Sequence, residues 1–285
     1  MDFLVIGALK SGTTSLFHYL RNHPQIYVPP EKEVPFFSNE KRFAIGWDSY
    51  FREFFSEAPA DAILGTVTPQ YMERPSSFVP QRIFQLMPRI KLIALLRNPI
   101  DRAFSHYRME SRFNREPRKF EEAAASDLGK EKLKIYFTAG QYGAMLDQFL
   151  DYFPREQLLV HFTDALEETP EKVLDSIMAH LGLATGFRPL NLGKRYHVGG
   201  RQRFPVLVPF VKKITPLKRL YRTLPLSSRR VIWGWVTNEG NVKRETAPPL
   251  DPAVRLQLRD FYLPDIVRME SLLGKKVPWK EFRSF

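Results

Sequence analysis

The chain has 285 residues, of which 44% are apolar, 26% are charged and none is cysteine. That composition suits an ordinary soluble globular chain long enough to bury a core, and it excludes disulfide scaffolds, thiolate metal sites and thiol nucleophiles. The net charge of +12 is uneven: the stretch from Arg188 to Arg244 carries fourteen Lys/Arg against one acid, Glu239, and the rest of the chain is close to neutral.

In chain order, the apolar run Phe3–Ile6 predicts a first buried strand, and the pattern from Thr13 to Leu20 predicts a helix ending near Asn22-His23-Pro24. Further strands are expected at Ile63–Val67, Lys91–Leu96 and Leu158–Phe162, each bounded by turn residues. Helices are expected at Phe78–Leu86, Pro99–Glu110, Ala139–Phe153 and Pro170–Leu181, several with proline in the first turn. Strands alternating with helices argue an α/β fold, a central parallel sheet flanked by helices. Phe204 to Val236 reads as short basic helices, and Pro252 to Leu273 as a helical pair interrupted at Pro264. The expected organisation is one domain over 1–285, with an α/β core at 1–187 and a basic, mainly helical part at 188–285. No apolar run approaches the roughly 20 residues that a bilayer span needs, and residues 1–7 lack the features of a secretion signal, so a cytoplasmic location is expected.

The first strand runs into Gly7-Ala-Leu-Lys-Ser-Gly-Thr-Thr14 and then into a helix. A buried strand feeding a glycine-containing turn and a helix N-terminus presents backbone N–H groups at the positive end of the helix dipole. Lys10 and the hydroxyls of Thr13, Thr14 and Ser15 lie in reach, so phosphate or sulfate is the natural occupant. The plainer alternative is a Ser/Thr helix cap beside an incidental lysine. A second strand-to-helix junction is Ile93-Ala-Leu-Leu-Arg97-Asn-Pro-Ile-Asp-Arg102-Ala-Phe-Ser105. It sets Arg97 at the carboxyl end of a strand, where open α/β sheets place ligands.

Lys10-Ser-Gly-Thr-Thr14 after a strand is similar to the 5′-phosphosulfate loop of sulfotransferases that use 3′-phosphoadenosine 5′-phosphosulfate, and Arg97 with Ser105 resembles the 3′-phosphate pair of that family. The resemblance extends through Gly140-Gln-Tyr142 and Leu181-Gly-Leu183 to heparan-sulfate-type and bacterial members. It implies that Lys10, Ser11, Gly12, Thr13, Thr14, Ser15, Arg97 and Ser105 bind the donor nucleotide without a metal. Val198-Gly199-Gly200-Arg201-Gln-Arg203 looks like the basic loop that closes over the nucleotide, which adds Gly199, Gly200 and Arg201.

Sulfuryl transfer to a hydroxyl calls for stabilised charge on the leaving phosphate and for a general base. Lys10 suits the first role. Glu33, in Glu33-Val-Pro-Phe-Phe37, resembles the heparan-type base; Glu31, His18, His23 and His106 are the competitors. Val67 stands where heparan-type enzymes carry a lysine before Thr-Pro, and Pro35 stands where some carry a histidine. The acceptor is left open among an acidic glycan, a lipid and a small alcohol, through a hydroxyl or an amine. Two other readings stay in view. A P-loop kinase or hydrolase would place lysine where Thr13 stands. A non-catalytic anion-binding module would use residues 188–244, through which peripheral contact with a membrane surface is also an expectation. No nucleic-acid motif is present, so no nucleic-acid partner is expected.

Overall fold

The computed structural model describes residues 1–73, 78–130, 133–194, 196, 200–202, 242–244 and 249–283. Packing groups Met1–Tyr107, Arg118–Tyr196 and Leu250–Phe285 into one compact unit, and Arg108–Pro117 with His197–Pro249 into a second.

The first unit is built on five parallel strands, β1 (Phe3–Gly7), β2 (Ile26–Tyr27), β3 (Ile63–Val67), β4 (Lys91–Leu96) and β5 (Leu158–Phe162), in the order β2-β3-β1-β4-β5. Val5 lies opposite Val67 on one side and Ile93 on the other, so β1 is central and the chain switches direction of propagation there. Because all five strands are parallel, the segments that follow them emerge along one edge.

Both faces of the sheet are covered, which is why its strands read as continuous apolar runs. Phe3, Val5, Ile93 and Leu95 pack against Leu16 and Leu20 of α1 (Thr13–Arg21) and against Leu174 and Ile177 further on. Leu4, Ile6, Leu92, Ala94 and Leu158 point the other way, into a larger cluster. Gly65 is required on β3 because a Cβ there would come within 2.2 Å of the Phe3 ring.

The larger cluster is closed by α2 (Glu40–Ile45), α3 (Trp47–Phe55), α4 (Phe78–Leu86), α5 (Pro99–Arg112), α6 (Phe120–Asp127), α7 (Ile135–Thr138) and α8 (Tyr142–Leu150). The other face is closed by α1, α9 (Thr163–Glu168) and α10 (Pro170–Leu181). The start of α5 follows its sequence: Asn98 Oδ1 accepts the Ile100 N–H at 3.0 Å and Pro99 opens the first turn.

Two expectations change. The helix expected from Ala139 starts at Tyr142, because Asp265 accepts the Gly143 and Ala144 N–H groups, both at 2.8 Å, and caps the helix there. The expected break at Pro264 is absent: α11 runs unbroken from Pro252 to Leu273. Proline costs a helix interior about 3 kcal/mol. The stripe Leu258, Tyr262, Ile266, Met269 and Leu273 continues across it, each residue 8% exposed or less, and burial of such side chains is worth roughly 1.5–3 kcal/mol apiece.

In the second unit, β6 (Gly200–Gln202) pairs antiparallel with β7 (Val242–Arg244), with Arg201 opposite Lys243. The basic helices expected between Phe204 and Val236 lie outside the described residues. No described helix is long and apolar enough to cross a membrane.

Candidate active site

The loop after β1 is held from beneath. The Ala8 N–H donates to Leu95 O at 2.7 Å, carrying the strand pairing one residue beyond β1. Lys10 and Gly12 then adopt left-handed backbone, with φ of 70° and 87°, on either side of Ser11. Alternating handedness of this kind turns successive N–H groups toward one side. A Cβ on Gly12 would meet only ordinary contacts, so the positive φ rather than crowding calls for glycine there. Gly12 is also the N-cap of α1 and supplies no side-chain cap, so the N–H groups of Thr13 and Thr14 have no acceptor within the helix.

Thr163, the first residue of α9, ties this loop to the sheet. Its hydroxyl lies 2.8 Å from Ser11 O and 3.1 Å from Leu96 O, and the residue is 8% exposed. Ser11 is fully buried, and its Oγ makes no hydrogen bond of good geometry although it faces the Tyr142 hydroxyl. Burial pushes that hydroxyl's pKa up, so Tyr142 remains a donor, and it donates to Arg97 O at 2.9 Å. Ser15 Oγ accepts the Tyr196 N–H at 3.2 Å.

Arg97 follows β4 directly, and its guanidinium donates to Lys10 O at 3.4 Å. The two segments singled out in the sequence, 87 residues apart, therefore meet. Ser105 is half-buried on the second turn of α5, and Thr14 is half-buried at the start of α1.

Glu33 reaches the same edge by another route. A short 3-10 helix, Pro69–Met72, follows β3, and Met72 packs so closely on Gly7 that a Cβ there would lie 2.7 Å from it. From this helix Gln70 Nε2 donates to Glu33 Oε2 at 2.8 Å, while the Lys32 ammonium meets Glu33 Oε1. The Glu33 backbone is left-handed, with φ of 66°. The following residues are pinned by two tyrosines: Tyr50 donates to Val34 O at 2.8 Å, and Tyr71 accepts the Phe36 N–H at 3.0 Å. Burial pushes the Tyr71 hydroxyl up to about 12, so it is neutral at any working pH.

The competitors for the base are placed differently. Glu31 is exposed. His106 is buried against the Arg102 guanidinium at 3.3 Å, and His23 Nδ1 accepts the Gln25 N–H at 3.1 Å. The His18 ring stacks on Tyr196 with centroids 3.9 Å apart. Val67 is 2% exposed within the core. Gly199 lies outside the described residues, and Gly200 and Arg201 belong to β6 of the second unit.

Sequence reading missed Thr163 and Gln70, and it named Tyr142 within Gly140-Gln-Tyr142 without giving it a role. The one local signal for Thr163 and Gln70 is that each comes within three residues of a strand's carboxyl end.

Residues 1–191 match the family model described as Sulfotransferase domain. A human bifunctional heparan sulfate N-deacetylase/N-sulfotransferase 2 is 28% identical over 302 residues, covering 97% of this chain and 30% of the human protein. The chain thus spans less than a third of that relative's length. A mouse heparan sulfate glucosamine 3-O-sulfotransferase 5 is 30% identical over 283 residues, covering 97% of this chain and 73% of the mouse protein. A crystallised sulfotransferase from Alicyclobacillus acidocaldarius superposes with a TM-score of 0.67 at 26% identity, covering 97% of this chain and 96% of that one. With a family match across two thirds of its length, the chain belongs to the sulfotransferase family.

Proposed function

We propose that the protein transfers a sulfuryl group from 3′-phosphoadenosine 5′-phosphosulfate to a hydroxyl or amine. The acceptor is a glycan, a lipid or a small alcohol. The observation that carries this reading is the meeting of Arg97 with the Lys10 loop, which joins two anion-binding segments into one site. The residues fit such a donor: the loop turns N–H groups outward, Ser11 Oγ is buried without a good partner, and a guanidinium stands alongside.

The donor supplies an electrophilic sulfur and a phosphate leaving group. Lys10 and the N–H groups around Gly12 hold the negative charge that gathers on that phosphate, with Ser11, Thr13, Thr14 and Ser15 lining the loop. Arg97 and Ser105 hold the 3′-phosphate. The resemblance of residues 198–203 to the family's basic loop assigns Gly199, Gly200 and Arg201 to nucleotide binding as well. Glu33 takes the proton of the attacking hydroxyl. On this reading the whole of 1–285 is one sulfotransferase domain acting in the cytoplasm, and the basic 188–244 region makes peripheral contact with acidic acceptors or membrane surfaces.

Calorimetry with adenosine 3′,5′-bisphosphate and adenosine 5′-monophosphate tests the donor assignment. A charge-assisted contact contributes about 1.5–3 kcal/mol, so a preference of roughly tenfold or more for the bisphosphate is expected. Equal affinities would leave only a generic phosphate loop. A mass-shift screen of glycan, lipid and alcohol acceptors incubated with donor then identifies the acceptor class.

A further inference from the structure

The geometry points to Gln70 as the residue that positions Glu33 for proton transfer, an inference that rests on the reading of Glu33 as the base. Both oxygens of the Glu33 carboxylate are engaged by the protein: Oε2 by Gln70 Nε2 at 2.8 Å and Oε1 by the Lys32 ammonium. The two partners differ in kind. Lys32 is the preceding residue of the same loop, a point charge on a four-carbon stem. Gln70 stands on separate, fixed ground, with Pro69, Tyr71 and Met72 on either side all buried.

That short helix acts on the Glu33 segment at two points. Gln70 holds the carboxylate, and its neighbour Tyr71 takes the Phe36 N–H at 3.0 Å. Tyr50 fixes Val34 O from the other side at 2.8 Å. Left-handed backbone at a glutamate persists only when its surroundings hold it, and these three contacts do so. Because Met72 also packs on Gly7, the base and the phosphate loop share one support.

The amide of Gln70 turns its donor to Glu33. Its Oε1 is buried without a hydrogen-bond partner, and reversing the amide would set that oxygen against a carboxylate oxygen. Val67 lies in the core and offers no cation here, so Gln70 is the donor on fixed ground that keeps the base aimed.

Two readouts test this. In protein labelled with 13C at the glutamate carboxyl, the resonance lost in Glu33→Gln reports Glu33, and its chemical shift and line width are read at pH 7. In Gln70→Met, which keeps the volume and removes the donor, that resonance shifts and broadens as the carboxylate loses its fixed partner. With donor nucleotide and de-N-sulfated heparin as probe acceptor, kcat falls about tenfold at unchanged donor KM. Gln70→Asn, which draws the amide back by one methylene, serves as the second variant should Gln70→Met fail to fold. An unchanged resonance in a folded Gln70 variant overturns the proposal, whether or not the probe acceptor turns over. Near-normal turnover by Glu33→Gln would instead overturn the base assignment, so the two failures are distinguishable.

Discussion

Thr163→Val isolates the tie between the loop after β1 and the sheet. Valine keeps the β-branched shape and removes one hydroxyl, which in the native chain lies 2.8 Å from Ser11 O and 3.1 Å from Leu96 O. The residue is 8% exposed, so water cannot take over these carbonyls. Leaving a buried acceptor unpaired costs about 1–3 kcal/mol, and ~2 kcal/mol is expected. At about 2.1 cal/mol/K of unfolding entropy per residue, that lowers Tm by roughly 3 °C for a chain of 285 residues. The functional consequence is larger. Ser11 lies between two left-handed residues, and a loop freed at that point must be re-ordered when an anion binds. Adenosine 3′,5′-bisphosphate should therefore bind about tenfold more weakly, equivalent to ~1.4 kcal/mol. Calorimetry gives the affinity and differential scanning gives Tm. A lowered Tm with unchanged affinity would show that Thr163 supports the fold and not the loop conformation. No change in either would refute the contact.

If Lys10 holds the charge on the leaving group, as proposed, Lys10→Ala should lower turnover far more than it weakens bisphosphate binding; a proportional loss of both would make Lys10 an anchor only. Lys10→Arg should not restore the rate, because a planar fork does not reproduce a point charge in this tight loop. Glu33→Gln should keep the fold and donor affinity and lose about a hundredfold or more in rate with a hydroxyl acceptor, measured by product mass, while Glu31→Gln changes little. Burial, with the Lys275 ammonium and His180 nearby, holds His161 down at about 4. The unfolded chain takes up that proton near pH 6.5, so this stability is complete above pH 6.5 and is lost as pH falls toward 4, by ~2 kcal/mol at pH 5. Urea unfolding at pH 7 and pH 5 measures it, and His161→Gln should reduce the difference, the remainder including His23 and His180, which burial also holds down.

Much of the fold was legible because its causes are local. The strands Ile63–Val67, Lys91–Leu96 and Leu158–Phe162 and the helices Phe78–Leu86 and Pro170–Leu181 have the bounds that their apolar runs and end residues indicate. The loop from Gly7 to Thr14 and the arginine after β4 were legible for the same reason: glycine, lysine and hydroxyls follow one another within a few residues. The helix Trp47–Phe55 was legible as well but went unnamed: Trp47, Tyr50, Phe51, Phe54 and Phe55 stand at helical spacing, and Trp47 and Tyr50 pack on Phe36, whereas the six-residue helix Glu40–Ile45 is too short to show a period.

Local rules also gave a wrong answer at Pro264, where the missing donor argues for a break. The buried stripe on both sides of the proline outweighs it, and that stripe has meaning only against the helix it covers. The same holds for the groups that finish the site. Thr163 meets Ser11 across 152 positions, Gln70 meets Glu33 across 37, and Asp265 meets Gly143 across 122. Residue type and spacing could therefore name a candidate anion loop, a candidate arginine and a candidate carboxylate. Which of them meet, and on which threonine, glutamine and tyrosine they rest, was decided by the order in which parallel strands pair. Strand order is set by burying both faces of the sheet at once, a property of the folded chain as a whole that no short stretch of sequence contains.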